Sequence, residues 1–197
     1  MSRVTSLSGL FIIGTFISPR RPQPNDPLQI ELRRQEQCLL EPIYKFLRTE
    51  HCGVQVIYHN VQSFAEHRDR IEKDTVFTAS DIILVGKTWA LPAEEISVSG
   101  FEAVSRSDCV GYASRPRGAC CLVSKRLMDH VHDAAGIKMG ENEDVIDAAT
   151  IKLDGVLIAG VYATPGVTND RIHAFLSRIY TEDGRKIILG DFNRNVL

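Results

Sequence analysis

Four aliphatic residues in a row, Ile82-Ile83-Leu84-Val85, stand between the polar pair Ser80-Asp81 and the turn-like Gly86-Lys87. The run is too short for a stable helix, and three of its members are β-branched. With no polar alternation, it suits a strand buried on both faces. A chain built around such a strand needs covering layers on each side of its sheet, which points to a mixed α/β fold rather than to a half-wetted hairpin.

The neighbouring segments agree with that reading. Val54-Gln55-Val56-Ile57-Tyr58 is β-rich and runs out into His59-Asn60-Val61-Gln62-Ser63. The charged amphipathic stretch Glu66 to Phe77 predicts a helix that crosses back over the sheet. Phe101 to Ser105 and Ala119 to Ser124 read as strands joined by a polar loop rich in Gly, Ser and Arg. Val145 to Leu153 and Val156 to Tyr162 read as a hairpin, because Asp154-Gly155 is the dipeptide that tolerates the positive φ of a two-residue turn. Asn169 to Tyr180 predicts an amphipathic helix with Ile172, Phe175, Leu176 and Ile179 on one face and Asn169 or Thr168 as N-cap. A last apolar run, Ile187-Ile188-Leu189, ends in Gly190-Asp191-Phe192-Asn193.

Upstream, the Pro- and Arg-containing run Ser18 to Pro27 breaks helix and strand alike. The organisation expected is therefore a flexible leader over 1–27, a helical lead-in over 28–53 split at Pro42, and one folded domain over 54–197. Leu10 to Ile17 is too short to span a bilayer, and no small-residue cleavage site follows it, so neither a membrane span nor a secretory signal is expected. The five cysteines (Cys38, Cys52, Cys109, Cys120, Cys121) form neither a C-x-x-C pair nor a zinc spacing. An odd set of unframed thiols suggests a reduced, intracellular setting, nuclear or cytoplasmic. A net charge of −2 over 197 residues leaves nucleic-acid binding to a local patch rather than to the whole surface.

Asn60, Lys87, Tyr162 and Asp191 all fall at the ends of separate predicted strands. Ligands of α/β sheets gather beyond the carboxyl ends of strands, so these four are the candidate site. Strand alternation would turn Asp191 and Asn193 to one side and Phe192 to the other. A carboxylate beside a neutral amide suits a hard cation and a phosphate oxygen, although Asp-x-Asn alone is also the wording of an ordinary polar turn.

Four segments in this order resemble the endonuclease/exonuclease/phosphatase superfamily, which includes apurinic and retrotransposon endonucleases. They are Tyr58-His59-Asn60-Val61-Gln62-Ser63, Ser80-Asp81-Ile82-Ile83-Leu84-Val85-Gly86-Lys87-Thr88-Trp89, Gly160-Val161-Tyr162-Ala163-Thr164-Pro165 and Ile188-Leu189-Gly190-Asp191-Phe192-Asn193. The wording from Cys38 to Ser63 is also similar to domains associated with Helitron-type transposons. The resemblance implies an α/β/β/α sandwich of four layers and Mg2+-dependent hydrolysis of phosphodiester or phosphomonoester bonds. It implies Asn60 at the metal, Tyr162 against the scissile phosphate, Asp191 activating water and Asn193 supporting the phosphoryl oxygens.

Two departures shape the expectation. Where the family carries a metal-holding glutamate before Thr-Trp, this chain has Lys87-Thr88-Trp89, and an ammonium donates but cannot ligate a cation. The family's Ser-Asp-His segment would lie beyond Asn193, and the chain stops at Leu197, so the sandwich is expected to lack its C-terminal part. The six histidines read as surface or loop residues. The expected function is thus a transposon-type endonuclease domain that is inactive or weakly active. The alternative is a non-catalytic remnant binding nucleic acid or phosphate through Lys87, Arg115 and Arg117, with Arg106, Lys125 and Arg126 as further cations for the backbone; a lesser one is a phosphatase for a small phosphorylated substrate. DNA is the expected partner, with a protein covering the exposed sheet as a second.

Overall fold

The computed structural model of the protein describes residues 11–15, 53–109, 117–141, 144–181 and 183–193. Its strands are β1 (Phe11–Thr15), β2 (Gln55–Asn60), β3 (Ile82–Gly86), β4 (Phe101–Ser107), β5 (Ala119–Ser124), β6 (Val131–Glu141), β7 (Asp144–Leu153), β8 (Val156–Ala163) and β9 (Arg185–Asp191). Its helices are α1 (Phe64–Lys73), α2 (Thr75–Ala79) and α3 (Asn169–Tyr180), with a 3-10 turn over Lys125–His130.

The strands form two sheets, ordered β1-β2-β3-β5-β4 and β6-β7-β8-β9. β3 lies in the middle of the first sheet with all five residues buried, as an unbroken aliphatic strand requires. Val56, Tyr58, Ile82, Leu84, Cys121 and Val123 from the first sheet meet Ala149, Ile151 and Ile158 from the second between the layers. The opposite face of the first sheet buries Ile57, Ile83, Val85 and Leu122 beneath Phe64 and Ile71 of α1 and Phe77 of α2. The opposite face of the second buries Ile146, Ala148, Ala159 and Val161 beneath Ile172, Phe175 and Ile179 of α3. The result is an α/β/β/α sandwich of four layers.

Gly160 shows how closely the layers approach. A methyl group there would lie 2.9 Å from Leu84 Cβ, so β8 can pass β3 only with a glycine.

β2 and β3 are parallel and joined through α1 and α2, and β8 and β9 are parallel and joined through α3. These crossovers bring the carboxyl ends of all four strands to one end of the sandwich. β5 runs antiparallel to β3 with Ala119 opposite Gly86, so Ser124 and the Lys125–Arg126 pair lie at the far end.

Several expectations are corrected. Phe11–Thr15, assigned above to the leader, pairs in parallel with Gln55 to His59 as an edge strand: five residues are a full strand when a sheet edge is on offer. The single helix expected from Glu66 to Phe77 is two, because the Asp74 carboxylate accepts from the Val76 N–H and caps a new helix. β6 has no counterpart in the sequence reading; its mostly half-exposed or exposed residues lie on an edge and carry no strand alternation. The hairpin at Asp154-Gly155 is present with φ of 46° and 76°, and α3 is capped by Thr168. The helical lead-in expected over 28–53 lies, except for Gly53, outside the described residues.

Candidate functional site

β2 ends in Asn60, β3 delivers Lys87 one residue past its end, and β9 ends in Asp191. Asn60 Nδ2 donates to Asp191 Oδ2 at 2.7 Å across the two sheets. Lys87 Nζ lies 3.9 Å from the same oxygen, and both side chains are 17% exposed. The ammonium also sits over the Tyr162 ring, 4.9 Å from its centroid. Tyr162 and Asp191 are direct neighbours in the β8–β9 register.

Asn193 reaches the same place by a different route from the one expected. It is not in an extended strand: its φ is 47°, and its N–H donates to Asp191 Oδ1 at 3.0 Å, closing a turn on that carboxylate. Its Nδ2 donates to the Ala163 carbonyl at 2.6 Å. Burial, together with the Asp191 charge, pushes the Tyr162 phenol well above its ordinary range, so it stays a neutral donor. Burial does the same to Tyr58, whose hydroxyl lies against Gly86.

The loop carrying Lys87 is held in an uncommon backbone. Lys87 and Trp89 have φ of 53° and 57°, a region that side chains other than glycine rarely enter. Hydrogen bonds fix it from two sides. The Lys87 and Thr88 carbonyls accept from the Ser63 and Phe64 N–H groups at 3.0 and 2.8 Å. The Thr88 and Trp89 N–H groups donate to the Gly118 and Arg117 carbonyls at 3.4 and 2.9 Å. Strain of this kind persists only where the surroundings over-determine it.

Asp147 belongs to the site and was not singled out in the sequence. It lies opposite Tyr162 in the β7–β8 register, so Asp147, Tyr162 and Asp191 form a row across three strands. Fully buried, it accepts from Ser107 Oγ at 2.6 Å and from the Gly118 N–H at 3.1 Å, and Lys138 Nζ lies 3.7 Å away. Burial raises its carboxyl above the usual range, while these partners pull the other way. The signal was an acid inside the otherwise apolar Val145-Ile146-Asp147-Ala148-Ala149.

The cations expected to serve nucleic acid divide. Arg117 touches the Lys87 loop through its backbone carbonyl, which accepts from the Trp89 N–H at 2.9 Å, and Arg115 lies outside the described residues. Arg106 is committed to Asp108 at 2.6 Å and to the Leu91 and Glu94 carbonyls at 3.0 Å. Arg126 pairs with Asp81 at the far end. His59, expected at the surface, is buried edge-on to Phe77.

A divalent metal fits these residues poorly. Among the described residues no group of three or more His, Cys, Asp or Glu converges to hold a metal ion. Asp191, the carboxylate beside Asn60, already accepts from two N–H groups and faces an ammonium. At about 4 Å and an effective dielectric of about 20, that ammonium would oppose a divalent ion by about 8 kcal/mol. Asn60 Oδ1 is buried without a partner, but one carboxamide oxygen is not a cation site.

These layers and strand ends define a protein of the endonuclease/exonuclease/phosphatase fold. A 3′ phosphatase from Neisseria, NExo, solved with a product DNA hairpin, superposes with a TM-score of 0.52 at 16% identity, over 70% of this chain and 57% of its own. A synaptojanin inositol polyphosphate 5-phosphatase domain, bound to inositol (1,4)-bisphosphate and calcium, gives 0.42 at 16% identity over 87% of this chain and 61% of that one. TDP2 from Caenorhabditis elegans gives 0.45 at 11% identity over 84% and 56%. The chain thus spans a little under two thirds of the length of these proteins. No known family's sequence profile matches the chain, and no protein of curated function does. Among the described residues, no helix is long and apolar enough to cross a membrane.

Proposed function

We propose that this chain is a nucleic-acid-directed domain of the phosphoesterase kind, of apurinic- or retrotransposon-endonuclease type and transposon origin, in which hydrolysis is weak or absent. It works inside the cell, in nucleus or cytoplasm, with DNA as its partner. The observation that carries the reading is the convergence of Asn60, Lys87, Tyr162, Asp191 and Asn193 at one end of the sandwich. Donors and an ammonium gathered at strand ends suit a phosphate group. The weak-turnover part rests on Lys87, which stands against Asp191 where Mg2+ chemistry would need open oxygens. The half-exposed apolar residues of edge strand β9 support a protein partner as well.

The test is a magnesium titration with supercoiled plasmid, following gel retardation and nicking together. Retardation without nicking by the wild type is the expected result. Mg2+-dependent nicking that disappears in Asp191→Ala would overturn the weak-turnover reading, and failure to retard the plasmid would overturn the nucleic-acid reading.

A further inference from the structure

Lys87 is fixed by its backbone more firmly than by its side chain. Its carbonyl accepts from Ser63, and the next two N–H groups are anchored on Gly118 and Arg117, so the left-handed turn aims the side chain whatever its tip touches. The tip makes two looser contacts: an ion pair at 3.9 Å and the face of Tyr162 at 4.9 Å. Neither is within hydrogen-bond distance, so neither uses an ammonium N–H in a short bond. Asp191, by contrast, keeps Asn60 and Asn193 as close donors when the ammonium moves away.

We infer that Lys87 is the resident cation of this site, and that it receives a phosphate group of a DNA strand directly, with no divalent metal between protein and phosphate. This rests on the phosphate-directed reading above and specifies how that site holds its ligand. Binding gives the ammonium a phosphate oxygen acceptor in place of its long ion pair with Asp191 and makes or breaks no covalent bond. The strained loop holds the cation in place in advance, so little ordering is left for the ligand to impose. The Tyr162 ring stands beside the ammonium, and the Asn60 amide lies against the same Asp191 oxygen that the ammonium faces.

The experiment measures binding of a short fluorescein-labelled single-stranded DNA by anisotropy, using the full chain in EDTA and in Mg2+ at matched ionic strength. The wild type should bind with the same Kd in both buffers to within about twofold, because a single ammonium contact is screened by salt but not replaced by metal. Lys87→Met should weaken binding about tenfold and lower the slope of log Kd against log salt by about 0.7, the value for one lost phosphate contact on a single strand. Lys87→Arg should restore most of the affinity and the slope, and a merely structural lysine would leave the slope unmoved. If Lys87→Met fails to fold by circular dichroism, Lys87→Gln takes its place. Binding by the wild type that requires Mg2+ overturns this inference alone, as does an unchanged slope in the Lys87 variants. Failure of the folded wild type to bind in either buffer overturns the phosphate-directed reading with it.

Discussion

Asn60 and Asp191 are 131 residues apart in sequence and stand on different sheets, yet the amide of one donates to the carboxylate of the other at 2.7 Å. The bond ties the carboxyl ends of β2 and β9 together at the mouth of the sandwich, and Lys87 from β3 joins it on the same oxygen. The site is therefore also a latch between the sheets, and a change there alters folding and binding together.

Lys87→Glu separates those roles. It replaces the cation with a second carboxylate facing Asp191, which is unfavourable without a counter-ion and favourable with one. In EDTA the variant should melt below the wild type. Saturating Mg2+ should raise its melting temperature by about 5–10 °C at a hundredfold excess over its Kd, while moving the wild type by less than about 1 °C. Thermal melts with and without the ion decide it. An equal Mg2+ response in both proteins would show that Lys87 does not keep the metal out.

Asp147 should matter for stability out of proportion to its distance from solvent. Asp147→Ala leaves the Ser107 hydroxyl and the Gly118 N–H buried without their acceptor. The expected cost is about 2–4 kcal/mol by guanidinium unfolding. Asp147→Asn, which keeps one acceptor for Ser107, should cost less. Because Gly118 in turn accepts from Thr88, the loop bearing Lys87 should become more protease-sensitive in the alanine variant. Equal stability of the alanine variant and wild type would contradict the bonding described.

The four strand ends were legible because short aliphatic runs stop abruptly at polar residues, and a sheet gathers such ends at one place. Less legible was anything set by partners distant in sequence. His59 sits in a polar-looking stretch, and only its packing on Phe77 shows that it is buried. Asp147 looked like one more strand residue until Ser107 and Gly118 arrived from the other sheet. The Asn193 turn was hidden because alternation along a strand says nothing once φ turns positive. β6 escaped because an edge strand exposed over much of its length carries no alternating pattern.

His59 gives a pH signature. Burial, helped by the positive charges of Arg70 and His67, holds its pKa down to about 4, against about 6.5 unfolded. The unfolded chain therefore binds the extra proton between those values, and stability falls as pH drops through the window. The contribution is present in full above about pH 6.5, and about 3 kcal/mol is lost by pH 4. Urea unfolding across that range should show the decline, and His59→Leu should flatten it. A slope unchanged in the leucine variant would assign the effect to other groups.

Gly86 and Tyr58 should behave as one unit. A Cβ at Gly86 would lie 2.1 Å from the Tyr58 hydroxyl oxygen, so Gly86→Ala forces either β3 or the tyrosine to move. Overpacking of that kind costs about 1–3 kcal/mol. The hydroxyl is buried without a well-formed hydrogen bond, facing only the Asp191 backbone, so Tyr58→Phe alone should be close to neutral. The alanine's worst contact is with that oxygen; the next, to Tyr58 Cζ, is at 3.0 Å and survives in phenylalanine. The double variant should therefore recover a large part of the loss, giving a coupling of about 1 kcal/mol in an unfolding double-mutant cycle. Since Gly86 immediately precedes Lys87, the single alanine variant should also weaken DNA binding, and Tyr58→Phe should restore it along with stability. Additive effects in the cycle would mean that the strain at Gly86 comes from the backbone of β3 rather than from the tyrosine across it.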